Sequence, residues 1–198
     1  MLILTYLLSA FTQSRIIVDL QLLLFLILLL LALRTSRVRG RMAWLAAGVA
    51  LAGSAAALGA VLTGTEVGGG VAAIWKGLTL LLTAVLIVSR VLARPTVTVQ
   101  SIYGALSAYV ILGLMFAAFF AAIKYLGGGG FFASGQPANT QTFQYFSFST
   151  LTTLGYGDFT SVVNGGRAVA VLEAMTGQIF LATLVARLVS AYRGSPAE

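Results

Sequence analysis

Residues 152–158 read Thr-Thr-Leu-Gly-Tyr-Gly-Asp and lie between two hydrophobic segments, each long enough to cross a bilayer. Gly155 and Gly157, one residue apart, give a backbone the freedom to point successive carbonyls the same way, because glycine adopts left-handed dihedrals without steric penalty. Residues about 141–152, just upstream, form a short run that Asn139 or Thr140 can cap as a helix. That helix is too short to span. Followed by a non-helical return through 153–158, it predicts a re-entrant segment. Non-helical backbone at membrane depth is tolerated only when buried in protein or lining water, a condition met when several copies surround an axis.

The composition sets the solvent. Of 198 residues, 59% are hydrophobic and only 9% charged, against about 25% charged in a soluble domain. The net charge of +7 does not indicate nucleic acid, since the basic residues are scattered between apolar runs and form no patch. With no cysteine and no histidine, disulfides, thiol nucleophiles, zinc sites and imidazole acid–base chemistry are excluded. Asp19, Glu66, Asp158, Glu173 and Glu198 are too dispersed for a catalytic pair. An enzyme is not expected, nor a soluble substrate.

A helix crossing the ~30 Å hydrocarbon core needs roughly 20 apolar residues. Five stretches qualify, about 16–34, 43–63, 72–92, 101–125 and 168–190. The first 14 residues lack a basic leader region; they extend the first helix or are the stub of an additional span. Arg34, Arg37, Arg39, Arg41, Arg90, Arg94, Arg187 and Arg193 then fall on one side, and Arg15, Lys76, Lys124 and Arg167 on the other. The positive-inside rule makes the first side cytoplasmic. The C-terminus is then inside, and the loop Thr63–Gly70 and the segment 126–166, including a Gly-rich flexible loop at 126–139, are outside.

The heptapeptide closely matches the selectivity filter of potassium channels, and the pore resemblance extends over about 95–193. It implies that the carbonyls of Thr153, Leu154, Gly155 and Tyr156 line K+ sites, with Gly157 completing the strand and the Thr153 hydroxyl closing the innermost site. Rings of carbonyls replace the water that a potassium ion sheds. One chain supplies one strand, so a homotetramer is implied. Leu154 replaces the valine common in the family, with its side chain directed away from the ions.

The supports differ more. Many family members carry two tryptophans behind the filter where this chain has Tyr145 and Phe146. Tyr145 retains a donor for Asp158. Phe146 cannot bond the Tyr156 hydroxyl, leaving Thr150 as the expected partner. Ser149 stands where some bacterial channels place a glutamate paired with the filter aspartate. Thr152 precedes the strand. Packing of an aromatic cuff is the plainer role for Tyr145, Phe146 and Phe148.

Gly166-Arg167 opens the last span, and Gly177 resembles the glycine that permits inner helices of bacterial potassium channels to bend. It equally suits close helix packing. Helical spacing puts Gln178, Leu181, Ala182, Val185 and Val189 on one face, the cavity and gate side of a channel or a helix contact. An apolar ring there gates by dewetting. Glu173, the single acid well inside a span, should face the protein interior, forming a structural hydrogen bond or sensing pH.

The expected architecture is an all-α membrane protein. An N-terminal transmembrane helical bundle (1–94) precedes a pore domain (95–198) of outer helix, re-entrant pore helix, filter and inner helix. Residues 95–110 resemble the linker and outer helix of small bacterial ion-channel-like proteins that carry six spans. The span 72–92 holds Lys76 and Arg90 without periodicity, so strong voltage sensing is not expected. The function expected is passive, potassium-selective conduction in a bacterial inner membrane. The alternatives are a weakly selective or non-conducting cation-channel subunit and, in a different class, a secondary transporter or membrane scaffold. The lipid bilayer and further copies of the chain are the partners expected.

Overall fold

The computed structural model describes residues 41–93 and 97–193. The predicted span 16–34, the stub before it, Arg94 and the tail beyond 193 lie outside the described residues. Among the described residues five helices follow in order: α1 (Arg41–Leu62), α2 (Glu66–Leu92), α3 (Val99–Gly127), α4 (Thr140–Leu151) and α5 (Asn164–Arg193). The only β pairing among the described residues is a bridge between Phe132 and Ser161. The fold is therefore all-helical. Three stretches, Glu66–Leu92, Val99–Gly127 and Asn164–Arg187, are long and apolar enough to cross a membrane. Such helices require lipid as their solvent.

Local chemistry sets the helix ends. The Thr65 side chain caps α2 by accepting from the Gly68 amide, with Glu66 in the first turn and Arg90 in the last, the charge order that complements the helix dipole. This start overturns the outer loop expected at Thr63–Gly70, which shrinks to Thr63–Thr65. The Gly-rich run is helical because it is a packing surface. A Cβ on Gly68 would collide with the carbonyl oxygen of Ala60. Thr98 caps α3, and Gly128 ends it in the left-handed conformation at φ 66°, the usual helix-terminating geometry of glycine. Asn139 and Thr142 form a reciprocal capping box on α4.

Packing then positions α4. α2 runs against α3, and α1 against α2, where Trp75 Nε1 donates to Ser54 Oγ at 3.3 Å. At the outer end, Lys124 and Glu66 pair at 2.9 Å, tying the start of α2 to the end of α3. α4 sits between α3 and α5. Its inward face joins a core built on Ile111, Leu114, Phe120, Phe131, Phe143 and Leu151.

The stretch 126–139 is not a free loop throughout. Gly127–Gly130 are exposed, but Phe131 and Phe132 are buried and belong to the core. Their rings meet Phe143 and Phe146 on α4, mostly edge to face, with Phe131–Phe143 centroids 5.1 Å apart. Backbone bonds from Ala133 N to Thr160 O (2.9 Å) and from Val162 N to Phe131 O (3.0 Å) fasten this segment to the chain leaving the heptapeptide. Burial of the two phenylalanines offsets part of the cost of ordering this segment.

Candidate functional site

The site begins at the C-terminal end of α4. Its last carbonyls carry the partial negative charge of the helix dipole, an electrostatic environment that favours cations. Thr152 caps the helix, its amide donating to Phe148 O and Thr150 O and its hydroxyl to Phe148 O at 2.7 Å. The chain then leaves helical geometry.

From there the dihedrals alternate. Thr153, Gly155 and Gly157 have φ of 57°, 53° and 79°, while Leu154 and Tyr156 keep negative φ. Sequence reasoning assigned this freedom to the two glycines alone. Thr153 is the only described non-glycine residue with positive φ, an outlier for a β-branched side chain. Such conformations cost of order 1–3 kcal/mol and cluster at functional sites. Two backbone bonds hold the strand to its helix: Thr153 N to Thr150 O at 2.9 Å, and Gly155 N to Ser149 O at 3.1 Å. Ser149 and Thr150 thus support the strand through their carbonyls. No hydrogen bond joins Thr150 to Tyr156 among the described residues, so the expected partnership is not made within one chain. Residues 152–158 are all exposed, Tyr156 to 68%.

The outer end of the strand is tied down. Tyr145 OH donates to Asp158 Oδ2 at 2.8 Å, and Gln136 Nε2 donates to Asp158 O at 2.7 Å. The Asp158 acceptor, with desolvation adding to it, raises the Tyr145 phenol above its ordinary pKa. The phenol therefore remains a donor at neutral pH. Phe159 stacks between Phe132 and Tyr145, at centroid distances of 5.0 and 5.4 Å. Arg167 Nε donates to Ser161 O at 2.9 Å, fixing the start of α5 to the same turn. Phe146 is buried among Phe120, Phe131 and Phe132, a cuff member and not a hydrogen-bonding support.

Behind α4 lies a polar node within the apolar core. Glu173 on α5 is fully buried, and its Oε1 meets Ser147 Oγ on α4. Ser147 Oγ also lies 2.6 Å from the Gly113 carbonyl of α3. A hydroxyl has one hydrogen and two lone pairs, so both contacts are satisfied when the Glu173 carboxyl carries a proton and donates to Ser147. Three helices meet at one serine that sequence reasoning did not single out. The available signal was a small polar residue on an aromatic helix, in a chain with one intramembrane acid.

The inner helix closes on the other side. A Cβ on Gly177 would collide with the Leu151 carbonyl oxygen, so close approach explains this glycine. Tyr109 OH donates to the same carbonyl at 3.2 Å. Gln178 Nε2 donates to Thr153 Oγ1 at 3.2 Å. Leu181, Ala182, Val185 and Val189 continue along α5 as exposed residues in the single chain.

Two helices long and apolar enough to cross a membrane flank a short helix and a strand of alternating dihedrals, and the comparison with known families falls on this same segment. Residues 106–193 match the model of a family described as ion channel. The matched segment is somewhat under half of the chain, and the family it is similar to is one of channels, not of enzymes. No curated protein and no solved structure matches the chain.

Proposed function

We propose that the chain is a subunit of a homotetrameric, potassium-selective channel that conducts passively across a bacterial inner membrane. The observation that carries this reading is the alternation of positive and negative φ from Thr153 to Gly157, on the dipole-negative end of α4. Alternating dihedrals direct successive carbonyls to one side, and such carbonyls replace the hydration shell of a potassium ion. The exposure of the whole strand supports assembly, because a lone strand cannot remain open at membrane depth. Four copies around an axis supply four strands and cover the apolar residues that α5 leaves exposed.

In this reading Thr153, Leu154, Gly155 and Tyr156 bind the transported ion through their carbonyls. Asp158, Tyr145 and the pore-helix carbonyls of Ser149 and Thr150 keep the strand in place. Val185 and Val189 form the apolar constriction towards the cytoplasm, where the C-terminus lies. The helices before α3 anchor the pore in lipid and act as no strong voltage sensor.

Purified protein in liposomes under a potassium gradient tests the proposal. The expected result is a barium-sensitive potassium flux that excludes sodium and disappears in Gly155→Ala. Equal sodium and potassium flux would favour a second reading, a weakly selective pore, which the missing Thr150–Tyr156 bond supports.

A further inference from the structure

Gln178 occupies a position that the pore reading leaves without a task. It follows Gly177, where α5 comes against the Leu151 carbonyl at the end of α4. Tyr109 donates to that same carbonyl, so α3, α4 and α5 are fixed to one another at this level. One residue on, the Gln178 carboxamide reaches across to the first residue of the filter strand. Its Nε2 donates to Thr153 Oγ1 at 3.2 Å.

The Thr153 hydroxyl is already engaged on its other side, where Oγ1 donates to Thr152 O at 2.7 Å. With its hydrogen and one of its two lone pairs in use, the oxygen keeps one lone pair. Thr153 also holds an unfavourable φ of 57°, and its β-branched side chain has few alternative rotamers. The glutamine bond selects among them.

We infer that Gln178 is the positioning residue for the innermost ion site: its carboxamide orients the Thr153 hydroxyl and thereby sets the preference for K+ over Na+ there. This rests on the filter reading given above. A ring of four such carboxamides would brace the inner end of the filter as Tyr145 and Gln136 brace the outer end. The link also couples α5 to the strand, so the orientation of the innermost oxygens follows the position of the inner helix.

The test is titration calorimetry of K+ and Na+ binding to the purified full-length chain, in a double-mutant cycle of Gln178→Leu and Thr153→Val. Gln178→Leu should lower the ratio of K+ to Na+ affinity about tenfold, as expected for losing one bond that orients an ion ligand. In the Thr153→Val background the same change should alter the ratio by less than about twofold, since the coupled group is gone. Thermal stability without either ion should not move, which separates positioning from a merely structural role. If Gln178→Leu fails to fold, Gln178→Asn, one methylene shorter, carries the same test. An unchanged ratio, or an equal loss in both backgrounds, overturns the inference and leaves the filter reading standing. Wild-type protein that binds neither ion removes both.

Discussion

The strand at 153–157 and the cuff behind α4 are adjacent, yet they are built by opposite rules. The strand is exposed along its whole length and held only by scattered hydrogen bonds, from Gln178 at its inner end, to the Ser149 and Thr150 carbonyls, and from Tyr145 and Gln136 at Asp158. The cuff is dry, aromatic and interlocked, with Phe120, Phe131, Phe143 and Leu151 almost wholly inaccessible. One chain completes the cuff by itself, whereas the strand stays exposed in the single chain and is enclosed only in the proposed tetramer. In the proposed function, stability and ion chemistry are therefore divided between neighbouring parts, and substitutions should separate them.

The largest effect on stability is expected from Phe131→Ala. It removes a buried ring that touches Phe120, Phe132, Phe143 and Phe146, a loss of about 3–5 kcal/mol. Denaturation of the detergent-solubilised protein measures it. If the comparison holds, ion preference in whatever protein remains folded should be unaltered. Finding selectivity lost together with stability would merge the two regions.

Glu173→Ala should come next, at about 1–3 kcal/mol, because Ser147 loses a buried partner. Glu173→Gln should cost much less, since its amide donates to Ser147 as a protonated carboxyl would. A glutamine variant as unstable as the alanine variant would show that the native carboxyl carries no proton. Gating that is unchanged in Glu173→Gln across a pH series would remove any sensing role for this acid.

Tyr145→Phe should be the mildest for folding and the most specific for the strand. It removes the bond to Asp158 and leaves the ring stacked on Phe159. The expected outcome is faster loss of conductance during sustained opening, with thermal stability little changed. The phenol pKa is raised, so its stabilising contribution is complete below the ordinary phenol pKa of about 10. It is lost only as pH climbs through the higher folded value. Recordings of wild type and variant should therefore differ equally from pH 6 to 9.

The two regions also differed in how readily the sequence disclosed them. The strand was legible because glycine spacing reports a backbone requirement directly, and the Tyr145–Asp158 bond was expected from the resemblance to potassium-channel filters, which put Tyr145 at a donor position. The left-handed Thr153 was not, since nothing in its type signals positive φ. The Gln178–Thr153 bond links residues 25 positions apart, and only the approach of α5 to Leu151 brings them together. The cuff was half hidden for another reason. Gly127–Gly130 look like flexible chain, and the burial of Phe131 and Phe132 depends on a tertiary partner that local patterning does not describe. The start of α2 was misread likewise, since a glycine run marks a loop or a tight helix contact with the same letters.

The central claim is that the strand from Thr153 to Gly157 selects K+ through its carbonyls. It is tested most directly by the reversal potential of single channels in a planar bilayer, with potassium on one side and sodium on the other. A reversal potential displaced far towards the potassium equilibrium potential, and brought close to zero by Gly155→Ala in channels that still open, is the predicted result. Reversal near zero in the wild-type protein would contradict it.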